Sequence, residues 1–345
     1  YGVSTLWAWQ IDFLYGFGST VGIDFSALER ILGIIPILLL GTFAIRKLFT
    51  HFKIEGWGSW LGTLFYLTNT YIVLVIDGGQ FAIGLAYAWL PAAYLAFEYG
   101  VSGNLEKKVL AALAVSLLGF FDIRFVYILA LLLFVRFFAE FLFLKPSNWV
   151  SWVLSWFKTG FVVGVVMMGL NAYWILPSIL AKAPSLPATY ARSSQALFLS
   201  FANLGHSLFL QQPHWFKNVF GNISPLKAEF VLIPLLVFLA PVLKRKDKAV
   251  VFWLAVALFS VFLVKGINPP LGNVYSWLFS NVPGFSLFRD PTKFFFLTAL
   301  SYSVLIGITV EELVKRFKIR ILPLILIFYF VILAWPVYSG KMTGT

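Results

Sequence analysis
The chain alternates long apolar runs with short polar connections. Runs of about 18–23 apolar residues match the hydrocarbon thickness of a bilayer at the rise of an α-helix. They predict helical spans over residues 28–48, 59–76, 80–99, 107–121, 123–144, 160–182, 229–243, 248–265, 291–312 and 321–340. Residues 1–27, glycine-rich and carrying Trp7 and Trp9, predict a loop at an interface. Trp149, Trp152 and Trp156 recur at helical spacing with Leu154 and Phe157, and predict a short interfacial helix ahead of the 160–182 span. The pattern as a whole predicts an all-α polytopic integral membrane protein with about ten spans. The transmembrane helical domain is expected over 28–345, interrupted by a long segment at 183–228 and a loop at 266–290.

Composition sharpens this picture. The chain is 60% hydrophobic and 12% charged, with 38 Phe, 13 Trp and 14 Tyr, far more apolar surface than a soluble domain of 345 residues needs. With no cysteine, disulfides, thiolate catalysis and Cys-ligated metals are excluded. A net charge of +12 alone would suggest nucleic acid, but the cations sit in connections between spans, which is a topology signal. They cluster on alternate connections: Arg46, Lys47 and Lys53; Lys107 and Lys108; Lys145 and Lys158; Lys244 to Lys248; Lys315 to Arg320. Those connections are expected in the cytoplasm. Residues 1–27, 183–228 and 266–290 then face outward, as do both ends of the chain. Since the chain opens at Tyr1 without a signal-peptide pattern, it reads as part of a longer protein, with 1–27 the end of an extracytoplasmic loop.

Sorting polar residues by face leaves Glu55, Glu98, Glu106, Asp247, Glu311 and Glu312 among cytoplasmic lysines. Glu311–Lys315 and Glu312–Arg316 are spaced as ordinary helix pairs. The outer face collects Asp12, Asp24, Asp77, Asp122, Arg124, Arg192, His206, His214, Arg289, Asp290 and Lys293. Asp122-Ile-Arg124 is read two ways: a cap with a snorkelling arginine, or a carboxylate beside a phosphate clamp. Asp77-Gly-Gly-Gln80 reads as a plain tight turn. His206 and His214 are too widely spaced, with only Glu229 in reach, to suggest a metal site; a base or a hydrogen-bond donor suits them better. Together with Trp215 they are candidates for acceptor binding, and Arg192, Gln211 and Gln212 lie in the same segment. No Walker loop, GxSxG, HExxH or Asp-x-Asp pair is present.

The most informative stretch is Pro283-Gly-Phe-Ser-Leu-Phe-Arg-Asp-Pro-Thr-Lys-Phe294. Asp290 before Pro291 predicts a helix start, with a carboxylate cap and proline at the first position. Arg289 and Lys293 bracket that start, where the helix dipole is already positive. Either an anion such as phosphate sits between them or both reach lipid headgroups.

Phe288-Arg-Asp-Pro-Thr-Lys-Phe294 after a Pro-Gly-Phe loop resembles an element of multi-span membrane glycosyltransferases of the GT-C type, in the arabinofuranosyltransferase-like and YfhO-like groups and their archaeal relatives. Tyr87-Ala-Trp-Leu-Pro91, the Asp122-x-Arg124 turn and Asn171-Ala-Tyr-Trp-Ile-Leu-Pro177 add to the resemblance, which runs loosely over most of the chain. It implies transfer of a sugar from a polyprenyl-phosphate donor, on the outer face of the cell membrane, to a glycan, lipid or protein acceptor. A carboxylate would act as base, with Arg124, Arg289 and Lys293 on the donor phosphate. The donor is a substrate; no cofactor is implied, and a divalent metal is left open. Such proteins carry the catalytic carboxylate in an outer loop after a first span. That loop falls at or before residues 1–27, so Asp12, Asp24 or a residue upstream of Tyr1 would supply it, with Asp122 a further candidate. Two rival classes stand beside this reading. A transporter or flippase of a lipid-linked or glycan substrate would use ionisable residues within spans, for which Asn69, Arg136 and Glu140 are the notable interruptions. A non-catalytic membrane scaffold would need no outer cluster.

Overall fold
The computed structural model describes residues 9–144, 148–180, 193–211, 226–319 and 321–340. Among these residues it is all-helical. Six helices are long and apolar enough to cross a membrane: Phe25–His51, Gly56–Asp77, Phe81–Val101, Ile123–Leu142, Trp149–Leu170 and Pro291–Phe317. Shorter apolar helices run over Ala228–Leu243, Lys248–Val264 and Leu322–Leu333. Six helices of spanning length are thus present where the hydrophobic pattern predicts about ten spans. The shortfall comes from four runs whose helices are too short to cross, among them those over Ala228–Leu243 and Lys248–Val264. The 107–121 run folds as a helix of 17 residues, and the last apolar run folds as Leu322–Leu333 followed by the separate turn Trp335–Tyr338.

The chain forms two compact units. The first comprises residues 1–48 and 80–185, the second 49–79 and 186–345. In the first unit the helices are α1 (Trp9–Thr20), α2 (Phe25–His51, whose last residues join the second unit), α4 (Phe81–Val101), α5 (Leu105–Phe121), α6 (Ile123–Leu144), α7 (Trp149–Leu170) and α8 (Ala172–Leu180). In the second they are α3 (Gly56–Asp77), α9 (Ser193–Phe198), α10 (Leu204–Leu208), α11 (Leu232–Leu243), α12 (Lys248–Val264), α13 (Gly272–Asn281), α14 (Phe295–Phe317) and α15 (Leu322–Leu333).

In the first unit α4, α5 and α7 pack side by side, and α6 joins α4 and α5. Two expectations change here. Residues 9–20, expected as loop, are the helix α1, whose Trp9, Phe13 and Phe17 side chains are exposed, Trp9 edge-on to Phe13 and Phe13 stacked on Phe17. Trp149, Trp152 and Trp156 do not form a separate interfacial helix; they open α7, which runs unbroken to Leu170. The break comes later, at Asn171, whose side chain donates to the Met167 carbonyl and accepts from Trp174 Nε1. An asparagine that bonds the backbone on one side and an indole on the other stabilises the bend between α7 and α8.

In the second unit α14 is the central helix, buried along its apolar window and flanked by α3, α11 and α12. The helix α3 is interrupted at Asn69, where ψ swings to 159°. The side chain repairs the break. Its oxygen accepts from Tyr71 N and Ile72 N, and its nitrogen donates to the Phe65 and Tyr66 carbonyls. The turn after α3 is the expected one, with Gly79 at φ +64°. On the outside of both units large apolar side chains are bare: Phe157, Phe161, Val242 and Phe328 are each about 70% exposed. A hydrocarbon environment satisfies such surfaces; water does not.

Candidate functional site
The strongest candidate is in the second unit, on the connection from α12 to α14. Pro283 and Gly284 turn the chain, with Gly284 at φ +77°. Two short 3-10 turns follow, Phe285–Phe288 and Pro291–Phe294, with Arg289 and Asp290 between them. Three phenylalanines fix this arrangement. Phe288 and Phe294 stack with ring centroids 4.6 Å apart, and Phe285 packs at 5.8 Å from Phe294. Tyr275 of α13 meets Phe285 edge-on, and its hydroxyl donates to the Phe288 carbonyl at 2.6 Å. Burial, then the nearby Asp290 carboxylate, holds the Tyr275 pKa well above its usual range.

Asp290 caps the start as the sequence predicts. Its Oδ1 accepts from Thr292 N at 3.0 Å and from Thr292 Oγ1 at 2.5 Å. The first turn is 3-10 rather than α, so the regular helix starts at Phe295. Lys293 Nζ lies 3.8 Å from Asp290 Oδ2. That carboxylate therefore offsets part of the unfavourable charge that the sequence places at the helix start. Arg289, half-buried, stands immediately before the cap.

The site also contains a lysine that sequence reasoning missed. Lys265 ends α12 and is only 1% exposed. Its Nζ donates to the Asn268 carbonyl at 2.9 Å and the Gly266 carbonyl at 3.5 Å, and lies 4.5 Å from the Phe262 ring centroid. Burial lowers its pKa. The turn after it is tied down: Ser200 Oγ accepts from Ile267 N, and Asn268 Nδ2 donates to the Ser200 and Ala202 carbonyls. Gly266 has φ +59°, and a Cβ there would lie 2.3 Å from Ser200 Oγ and 2.5 Å from Pro291 Cγ. This turn is thus pressed directly on the first residue of the Pro291–Phe294 element. Its sequence signal was a lysine closing an apolar run, easily read as a helix end.

His206, also in the second unit, is buried in α10. Its backbone N–H donates to Asn203 Oδ1, and Asn203 N–H donates to His206 Nδ1, a reciprocal cap. An accepting Nδ1 places the imidazole proton on Nε2. His214, Trp215, Arg192 and Gln212 lie outside the described residues. Gln211 bridges to the backbone of Lys227.

In the first unit, Asp122 and Arg124 answer each other. Asp122 Oδ1 accepts from Arg124 N and Nε, and the Arg124 Nη2 to Asp122 Oδ2 distance is 2.5 Å. The carboxylate, 2% exposed, is thus a cap for the start of α6, and the guanidinium fork is filled by it. Asp24 caps the next helical turn through Ser26 N, and the Ser26 hydroxyl bond, chiefly, lowers its pKa. Asp12 is exposed in the first turn of α1.

The same unit holds an ionic network within helices of membrane-crossing length. Arg136 of α6 lies 2.5 Å from Glu140 and 3.2 Å from Glu98 of α4. Trp152 Nε1 of α7 donates to Glu140 Oε2 at 3.2 Å. Glu98 therefore stands with Arg136 rather than among the loop lysines. In the second unit Glu311 pairs with Lys315 as expected, whereas Glu312 takes Lys244 at 3.1 Å. Among the described residues no group of three or more His, Asp or Glu is placed to hold a metal ion. No protein-family model matches the chain, and neither does any curated protein or solved structure.

Proposed function
We propose that this chain is the membrane domain of a GT-C type glycosyltransferase of about ten spans. It would move a sugar from a polyprenyl-phosphate donor to a glycan, lipid or protein acceptor on the extracytoplasmic face of the cell membrane. The observation that carries this reading is the Phe288–Phe294 element, which sets a guanidinium and an ammonium at the head of the buried helix α14 on a framework of stacked rings. Cations held rigidly before any charge develops are what a departing phosphate needs, since no reorganisation is required in the transition state. In this reaction the acceptor hydroxyl oxygen attacks the anomeric carbon. The sugar–phosphate C–O bond breaks with its electron pair on the phosphate, and the hydroxyl proton passes to a carboxylate. Arg289 and Lys293 answer the growing phosphate charge.

The transporter or flippase reading is favoured by one observation, the Glu98–Arg136–Glu140 network within crossing helices, because intramembrane ionisable groups often mark a substrate or ion path. Both readings are tested together with the purified full-length protein in liposomes loaded with a labelled polyprenyl-phosphate sugar. Transfer of label to an added acceptor is the result expected. Movement of the donor between leaflets without transfer would replace the transferase by a flippase, and neither event would end both readings.

A further inference from the structure
An apolar groove lies toward the end of α14 opposite the Phe288–Phe294 element. The first turn of α3 is seated on α14 there: a Cβ on Gly58 would lie 2.3 Å from the Gly307 carbonyl oxygen and 2.9 Å from Glu311 Cβ. The Glu311 carboxylate holds the same junction, accepting from Glu55 N at 3.3 Å and pairing with Lys315. Helix α15 meets α3 further along, where the Phe65 and Phe330 ring centroids are 5.5 Å apart. On the N-terminal side of that contact, Gly56, Trp57, Trp60, Leu61, Leu64 and Ile327 line a groove of about 610 Å³ between the two helices. Its lining carries no charged side chain. Trp57 and Trp60 are 46% and 57% exposed, and Trp57 makes no hydrogen bond among the described residues. An indole N–H normally finds an acceptor, and at the end of a span the headgroup level supplies one.

The charge around this end of the groove is unbalanced. On the segments that frame it, 53–56 and 311–319, Glu311 takes Lys315 and Glu312 takes Lys244. Lys53, Arg316 and Lys318 are left against Glu55; all three are exposed, and none makes an ion pair among the described residues. Basic residues just beyond a span favour anionic lipid, by about fivefold each. An apolar cleft with an indole at its mouth, beside cations without counter-ions, matches a molecule that is apolar along its length and anionic at one end. A second copy of this chain would bring the same cations and match the apolar part alone.

We propose that the groove between α3 and α15 binds an anionic glycerophospholipid of the leaflet at that end. An acyl chain lies along Trp60, Leu61 and Leu64, the ester and phosphate oxygens face Trp57 Nε1, and Lys53, Arg316 and Lys318 hold the headgroup charge. This site does not rest on sugar transfer.

The test is quenching of tryptophan fluorescence in the purified full-length protein, held in phosphatidylcholine nanodiscs with a rising fraction of lipid brominated on its acyl chains. Brominated phosphatidylglycerol is compared with brominated phosphatidylcholine. The part of the quenching that is lost in Trp57→Phe/Trp60→Phe reports the groove. For that part, half-quenching should need about tenfold less phosphatidylglycerol than phosphatidylcholine, and Lys53→Gln/Arg316→Gln/Lys318→Gln should reduce the preference to about twofold or less. Equal quenching by the two lipids would make the groove an ordinary lipid-facing surface and overturn the proposal. A preference that survives in the triple variant would place the headgroup elsewhere and overturn it too. Quenching by neither lipid would mean that protein covers the groove, as in a dimer, with the same consequence. If the tryptophan variant does not fold, phosphatidylglycerol carried through detergent purification decides: it should accompany the wild type and not the triple variant, and equal amounts in both would contradict the site.

Discussion
At the scale of single residues, the backbone that leads into Arg289 is held by a group that carries no charge. Tyr275 is buried and holds the Phe288 carbonyl, fixing the backbone immediately before Arg289. Tyr275→Phe leaves that carbonyl without its partner and should cost about 1–3 kcal/mol, measured as a lower unfolding midpoint in detergent. The pH dependence follows from the raised pKa. The neutral hydroxyl is favoured in the folded chain, so this contribution is complete below about pH 10, the ordinary tyrosine value, and is lost as pH rises from there. Tyr275→Phe should flatten that alkaline loss. A midpoint unchanged by the substitution would show that the ring stack alone holds the turn. Much at this scale was legible in sequence. Asp290 before Pro291 announces a cap because both residues act on the adjacent backbone, and Glu311–Lys315 and Arg136–Glu140 are neighbours by helical spacing alone. Glu98 with Arg136 and the Lys265 cage were not legible, since each depends on chain segments brought together by packing.

At the scale of elements, the breaks are set by side chains that replace the missing helix bonds. In hydrocarbon an interrupted helix needs internal partners for every freed backbone group. Asn69 supplies them in both directions at the break in α3. Asn69→Leu is expected to destabilise the protein by about 1–3 kcal/mol through backbone groups left unsatisfied, read from the denaturation midpoint. The network linking α4, α6 and α7 should be more sensitive still. Arg136→Leu strands two half-buried carboxylates and should cost about 3 kcal/mol, whereas Trp152→Phe, which removes one hydrogen bond and keeps the ring, should cost about 1 kcal/mol. Equal effects of the two would mean that packing, and not charge compensation, dominates there. Helix positions were legible from apolar periodicity, but their ends were not. The tryptophans that open α7 carry the same signal whether they lie flat at an interface or begin a span, and only the continuous backbone to Leu170 decides between the two.

At the scale of the whole molecule, the two units share one property: long helices whose exposed flanks are apolar. The asymmetry of loop cations gives this a direction, with Lys244 to Lys248 expected in the cytoplasm and His206 outside. Single cysteines introduced at Lys246 and at the exposed Leu204, two residues before His206, in a chain that has none of its own, should label with an impermeant reagent at 204 and not at 246 in intact cells. The opposite pattern would invert the topology and move the candidate site to the wrong face for a polyprenyl-phosphate donor. The central claim is tested most directly by transfer of a labelled sugar from that donor by the full-length protein with Arg289 varied. A lysine cannot reproduce the paired hydrogen bonds of a guanidinium to phosphate. Arg289→Lys should therefore slow transfer, and Arg289→Ala should slow it by about a hundredfold, the scale of one lost transition-state contact of roughly 3 kcal/mol. Equal rates for wild type, Arg289→Lys and Arg289→Ala would contradict the phosphate clamp on which the account rests.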